Sequence, residues 1–119
     1  MDNKTTIEDL KNLVKEFCEE RDWTQYHNPK DLAIGISTEA NELLDLFRFK
    51  SIEQMRMIMN TLDKRKMVEE ELADTLFFII RFAQMNNIDL DDVLKSKIKF
   101  NELKYPKEVV RGSNQKYGK

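Results

Sequence analysis

The chain is 119 residues long, with a formal net charge of −2 and a single cysteine, Cys18. That charge leaves no basic footprint for a nucleic-acid polymer, one cysteine cannot close an internal disulfide, and no stretch approaches the roughly 20 apolar residues of a membrane span. With 40% hydrophobic and 35% charged residues but only three glycines and two prolines, the composition predicts one all-α domain over 1–119.

The opening residues 1–11 are polar and carry no apolar signal core, so the expected location is cytoplasmic. Thr5-Thr6-Ile7-Glu8-Asp9 has the Thr-x-x-acid form of a helix start. Leu10, Leu13, Val14 and Phe17 then recur at helical spacing, predicting a first helix to about Arg21. Residues 22–30 break that rhythm with the sole tryptophan, the sole histidine and Pro29, and read as a structured connector. A second helix is predicted over 31–49, starting soon after the proline. Ser51-x-x-Gln54 resembles a capping box for a short helix carrying Met55, Ile58 and Met59. The charged stretch 63–66 reads as a hinge. From 67 to 85 a helix is predicted again, and its middle, 72–83, is apolar almost all round. Such a helix must be covered on more than one side, and in a chain this small the extra cover points to a second subunit. Asn86-Asn87 ends it, Asp89, Asp91 and Asp92 open a last helix through about Leu103, and the tail from Pro106 is expected to be irregular.

Two acidic pairs, Glu39-x-x-Glu42 and Glu71-x-x-Asp74, lie inside apolar helical stretches. At three-residue spacing both members of a pair project from nearly the same side of a helix. At about 100° per residue, Glu39 falls between Leu43 and Leu46, and Glu71 between Phe78 and Phe82, inside the apolar arcs. Glu42 and Asp74 border those arcs. Acids on helices are usually solvated, but a buried carboxylate without a partner must be compensated or take up a proton. A cation shared by two packed helices would compensate all four, and oxygen-only ligands suit Mg²⁺, together with a phosphorylated substrate. The competing explanation is an ion pair with Arg48 or Arg81.

Elsewhere the signals are weaker. Glu19-Glu20, Glu69-Glu70 and Asp91-Asp92 sit at helix ends, where dipole and solvent account for them. Lys97, Asn101 and Lys104 share one side of the last helix and could grip a polyphosphate, although a solvated lysine face is the simpler reading. Trp23 could stack on a base or act as a lid over the core. His27 could be a general base or purely structural, and Cys18 has no activating partner in the sequence.

The acidic motifs on successive helices resemble the MazG-like family of all-α nucleoside triphosphate pyrophosphohydrolases, and most nearly its dCTP pyrophosphatase branch. The resemblance extends through Glu20-Arg21-Asp22-Trp23-x-x-Tyr26-His27-x-Pro29, Glu39-Ala40-x-Glu42-Leu43 to Leu46-Phe47, and Glu70-Glu71-Leu72-Ala73-Asp74. It continues through Asn101-x-x-Lys104-Tyr105-Pro106 and Arg111-Gly112-Ser113-x-x-Lys116-Tyr117. It implies a MazG-like four-helix bundle, oligomeric as a dimer or a tetramer of paired dimers, with helices packed across subunits. It also implies hydrolysis of a (deoxy)nucleoside triphosphate to monophosphate and pyrophosphate, as in clearing unwanted nucleotides from the pool. Glu39, Glu42, Glu71 and Asp74 match the Mg²⁺ ligands, with Mn²⁺ able to substitute, and Glu39 or Glu42 the group that activates water. Lys97 and Asn101 match phosphate contacts, Lys104 would help hold pyrophosphate, and Trp23 matches an aromatic beside the base. At three pocket positions this chain has Val14, Phe49 and Phe78 where that branch has His, Trp and Tyr. The pocket keeps stackable surface but loses hydrogen-bonding groups, which predicts a less selective choice among dCTP and modified pyrimidine deoxynucleotides. The rival expectations are a phosphoribosyl-ATP-type pyrophosphohydrolase and a non-enzymatic helical oligomer using its acids as structural ion pairs.

Overall fold

The computed structural model describes residues 1–113; Lys116 and Tyr117 of the resemblance lie outside them. The described residues form six α-helices and one 3-10 turn, with no strand. The first helix, α1 (Ile7–Glu20), starts on the expected capping box: the Asp9 N–H donates to Thr6 Oγ1 (3.1 Å) and the Thr6 N–H to Asp9 Oδ2 (3.0 Å). It stops where Asp22 takes a left-handed conformation, φ 54°. The connector contains a 3-10 turn, Thr24–Tyr26. Helix α2 (Pro29–Asp45) has Asn28 as its cap, accepting from the Asp31 N–H at 2.8 Å, and Pro29 in its first turn. It therefore begins at the proline itself.

Its other end falls at Asp45 rather than 49. Hydrogen bonds to the Leu43 and Leu44 carbonyls wind the chain on as far as Arg48, and Phe49 at φ 61° then breaks the helical path. A bulky residue in that region is a genuine outlier. Helix α3 (Ile52–Asn60) has its predicted capping box, Ser51 with Gln54. Helix α4 (Leu62–Met85) follows at once, so the expected charged hinge is instead the helix's first turns. The charges support it: Asp63 lies at the positive end of the helix, and Arg65 donates to Glu69 at 3.2 Å one turn on. Helix α5 (Leu90–Lys104) is capped by Asp89, which accepts from the Asp92 N–H at 2.9 Å. The tail is not irregular throughout, since Pro106 opens one further turn, α6 (Lys107–Val110), by accepting from the Val109 and Val110 N–H groups.

The chain divides into two compact units, Met1–Asn87 and a second beginning at Ile88. In the first, α4 is central: α2 packs along it most extensively, and α1 and α3 also lie against it. The buried apolar core there is small, namely Cys18, Leu32, Val68, Ile80 and Ala83. On α4, Leu72 and Leu76 remain 57% and 47% exposed, and Ile79 is open as well, so one chain leaves an apolar stripe of its central helix bare. In the second unit no residue of α5 is buried. No helix among the described residues is long and apolar enough to cross a membrane.

Candidate active site

The site is set by how closely α2 and α4 approach. Gly35 on α2 faces the Phe78 ring of α4, and a Cβ at Gly35 would lie 2.6 Å from Phe78 Cδ1. Glycine inside a helix is unfavourable by roughly 0.5–1 kcal/mol relative to alanine. Its presence therefore marks the point where the two helices need room. One turn further along α2 stands Glu39, and α4 carries Glu71 two turns before Phe78.

Carboxylate oxygens of Glu39, Glu42 and Glu71 all lie within 4.8 Å of one another. Glu39 Oε2 and Glu71 Oε2 are buried without a hydrogen-bond partner. Glu39 is pushed up from the ordinary 4.5 to about 7, first by loss of water, then by hydrogen bonding to Glu42 and the negative charges of Glu42, Asp74 and Glu71. Burial raises Glu71 as well, again followed by Glu42 and then Asp74. Asp74 is exposed at the rim, and its charge reaches Glu39 and Glu71 although its oxygens stay outside the tight trio.

The ion-pair explanation of this cluster fails. Arg48 reaches Asp45 (3.6 Å) and Asn41 (3.4 Å), and Arg81 is held by Thr24, His27 and Gln84. None of the ion pairs among the described residues includes Glu39, Glu42, Glu71 or Asp74. Orphaned buried oxygens, like charges in contact and raised pKa values together mark a cluster able to hold a metal cation, and hard oxygen donors suit Mg²⁺ or Ca²⁺. A second acidic trio gives the contrast. Asp89, Asp91 and Asp92 also come together, but all are exposed, Asp89 caps α5, and Asp91 pairs with Lys95 at 2.9 Å.

Beside the carboxylates runs a chain of rings. Trp23 meets Phe17 edge-on at 5.6 Å, Phe17 meets Phe77 at 5.8 Å, and Phe77 meets Phe78 at 5.4 Å. Trp23 and Phe78 therefore belong to one aromatic wall joining the connector to the α2–α4 contact, while Trp23 stays 39% exposed. Phe49 is not part of that wall: it sits beyond α2 and is 96% exposed. Lys97, Asn101 and Lys104 recur along α5, in the second unit; Lys97 lies over the Phe100 ring and Lys104 over Tyr105. Cys18 is buried core, and burial raises its thiol pKa, so it is an unreactive packing group. Gly35, the place of Phe17 and Phe77 in the aromatic wall, and the partners of Arg81 are not evident from the sequence. A glycine in mid-helix was the available signal for the first; the others depend on contacts between elements distant in sequence.

An all-helical chain with an orphaned carboxylate trio at a close α2–α4 approach is a helical protein whose geometry could hold a metal ion between two helices. Residues 34–119 match the MazG-like family, and the chain belongs to that family. It is 36% identical to mouse dCTP pyrophosphatase 1 over 94% of this chain and 66% of that one, and 34% identical to the human enzyme of that name over the same shares. The chain thus spans 66% of the length of these relatives. It also resembles the crystal structure of a pyrophosphatase from Archaeoglobus fulgidus, with 35% identity, a TM-score of 0.78, and 84% of this chain and 92% of that one covered.

Proposed function

We propose that the protein is a Mg²⁺-dependent (deoxy)nucleoside triphosphate pyrophosphohydrolase, with dCTP or modified pyrimidine deoxynucleotides as substrates. The observation that carries this reading is the carboxylate cluster, three acids in contact with two buried, unpartnered oxygens and, among the described residues, no basic side chain paired with them. The names of the relatives, dCTP pyrophosphatase and pyrophosphatase, supply the reaction class.

Glu39, Glu42 and Glu71, with Asp74 at the rim, would hold the cation. When bound, Mg²⁺ neutralises triphosphate charge and acidifies a coordinated water. The carboxylate of Glu39 or Glu42 accepts the proton of the attacking water as its oxygen bonds to the α-phosphorus. The bond from the α-phosphorus to the α–β bridging oxygen breaks, and its electron pair leaves with pyrophosphate. Trp23 and Phe78 offer ring faces to the base, and Phe49 offers a solvent-exposed ring held in a strained conformation. Lys97, Asn101 and Lys104, in the second unit, carry donors of the kind that bind phosphate oxygens. A second copy covers the bare stripe of Leu72, Leu76 and Ile79, making the working form a homo-oligomer, dimer or tetramer, in the cytoplasm.

The experiment is product analysis over a panel of dNTPs, NTPs and modified pyrimidine triphosphates, with Mg²⁺ and with EDTA. Monophosphate and pyrophosphate in equal amounts, only with metal, is the expected result. Inorganic phosphate with a diphosphate product, or turnover unaffected by EDTA, would overturn it.

A further inference from the structure

Among the described residues Arg81 is the one charged side chain that is fully buried, 1% exposed in the otherwise apolar run Phe77–Ala83 of α4. A guanidinium cannot shed its proton to ease burial, and no carboxylate among the described residues pairs with it. If packing alone were needed, leucine or methionine would fill the space without a buried charge. Its donors define a different task. Nε donates to His27 Nδ1 and Nη2 to Thr24 Oγ1, both at 3.0 Å, while Nη1 donates to Gln84 Oε1 one turn along α4. Thr24 and His27 bracket the 3-10 turn of the connector, more than fifty positions away in sequence. The neighbouring Trp23 ring stands edge-on to His27 at 6.3 Å and to Phe17 at 5.6 Å.

We propose that Arg81 is the positioning residue for the base side of the site: from inside α4 it latches the connector through Thr24 and His27, and so fixes the Trp23 indole where a pyrimidine would stack. The consequence for the base rests on the hydrolase reading above; the latch itself does not. All the groups involved lie in the first compact unit, and the same aromatic row leads from Trp23 through Phe17 and Phe77 to Phe78 at the α2–α4 contact. None of these groups belongs to the Glu39, Glu42 and Glu71 cluster. Arg81 acts through Trp23, and its loss should weaken binding without slowing chemistry.

The sole tryptophan of the chain makes the latch directly observable, since all indole fluorescence comes from Trp23. The variants are Arg81→Met and, from the connector side, the double variant Thr24→Val with His27→Ala. The second removes both connector acceptors while leaving every α4 side chain in place, and it decides the matter if Arg81→Met does not fold. Circular dichroism should show wild-type helix content. Acrylamide quenching of Trp23 should rise about twofold, because a ring now 39% exposed becomes open on both faces. For the preferred triphosphate, KM should rise about tenfold, the scale of one lost base–aromatic stack, with kcat nearly unchanged. His27→Gln, which keeps an acceptor within reach, should recover much of both changes. Wild-type quenching in the folded double variant would overturn the latch. So would a fall in kcat at constant KM. Absence of any triphosphate hydrolysis by the wild type would sink the hydrolase reading alone, and the quenching comparison would still decide the latch.

Discussion

At the scale of single residues the protein holds two opposite electrostatic oddities, an unpaired acid cluster and an unpaired buried cation, each with a definite pH signature. Glu39 titrates near 7 instead of 4.5, so the cluster's contribution to stability is complete below the unfolded value and is lost as pH rises through about 7. In the proposed function Mg²⁺ would take the place of the proton, and its binding should release protons. Added Mg²⁺ should therefore raise Tm more near pH 8 than near pH 6, and calorimetry in buffers of different ionisation enthalpy would register the proton release. An equal Tm shift at both pH values would contradict the buried cluster as the binding site. His27 has the reverse sign. Burial first, then the positive charge of Arg81, holds its pKa below the usual 6.5. The group facing it from α4 is Arg81, and its connector neighbour is the uncharged Trp23 ring. The neutral imidazole's stabilisation is thus present above about pH 6.5 and fades as pH falls through the depressed value. Trp23 quenching in the wild type should increase across that acidic range, and in His27→Gln it should not.

At the scale of elements the caps and the crossing of α2 and α4 decide the geometry. Gly35→Ala gains helix propensity of up to about 1 kcal/mol but drives a methyl into the Phe78 ring, an overpacking that costs typically 1–3 kcal/mol. The clash outweighs the propensity, so Tm should fall modestly, while hydrolysis should fall further because Glu39 and Glu71 are spread apart. Thermal denaturation beside steady-state kinetics checks the pair. Phe49→Asn works in the other direction. At φ 61° and 96% exposure Phe49 has strain and almost no packing to lose, and Asn tolerates that conformation. The variant should be more stable by about 0.5–1 kcal/mol and bind its triphosphate more weakly. The caps at Thr6, Ser51 and Asp89 and the acidic pairs were legible in the sequence because each depends on residues three apart, whereas the Asn28 cap lies before the start expected for α2. The start of α4 was not, because charged residues without apolar periodicity resemble a hinge until ion pairs such as Arg65 with Glu69 are seen to join successive turns. The end of α2 turns on one left-handed phenylalanine, which no periodicity reveals. Arg81 could be weighed as a partner for the acids, but its real acceptors, Thr24 and His27, come from folding the connector onto α4.

At the scale of the whole molecule, the chain buries few large apolar side chains and leaves a stripe of its longest helix open. That imbalance supports the proposed homo-oligomer, and Leu76→Glu, placing a charge at the middle of the stripe, should reduce the sedimenting mass to that of one chain with helix content unchanged. An unaltered oligomer would place the interface elsewhere. The central claim, however, is that the α2–α4 carboxylates are a divalent-cation site for triphosphate hydrolysis. Glu71→Gln tests it most directly, since it removes one buried, unpartnered oxygen charge with almost no change of shape. Mg²⁺-dependent pyrophosphate release should be compared between wild type and this variant, with helix content and sedimenting mass measured on the same samples. The expected result is a loss of at least ~100-fold in kcat/KM from a folded, normally assembled protein. Retention of most of the activity would show that the cluster is not the site of the chemistry.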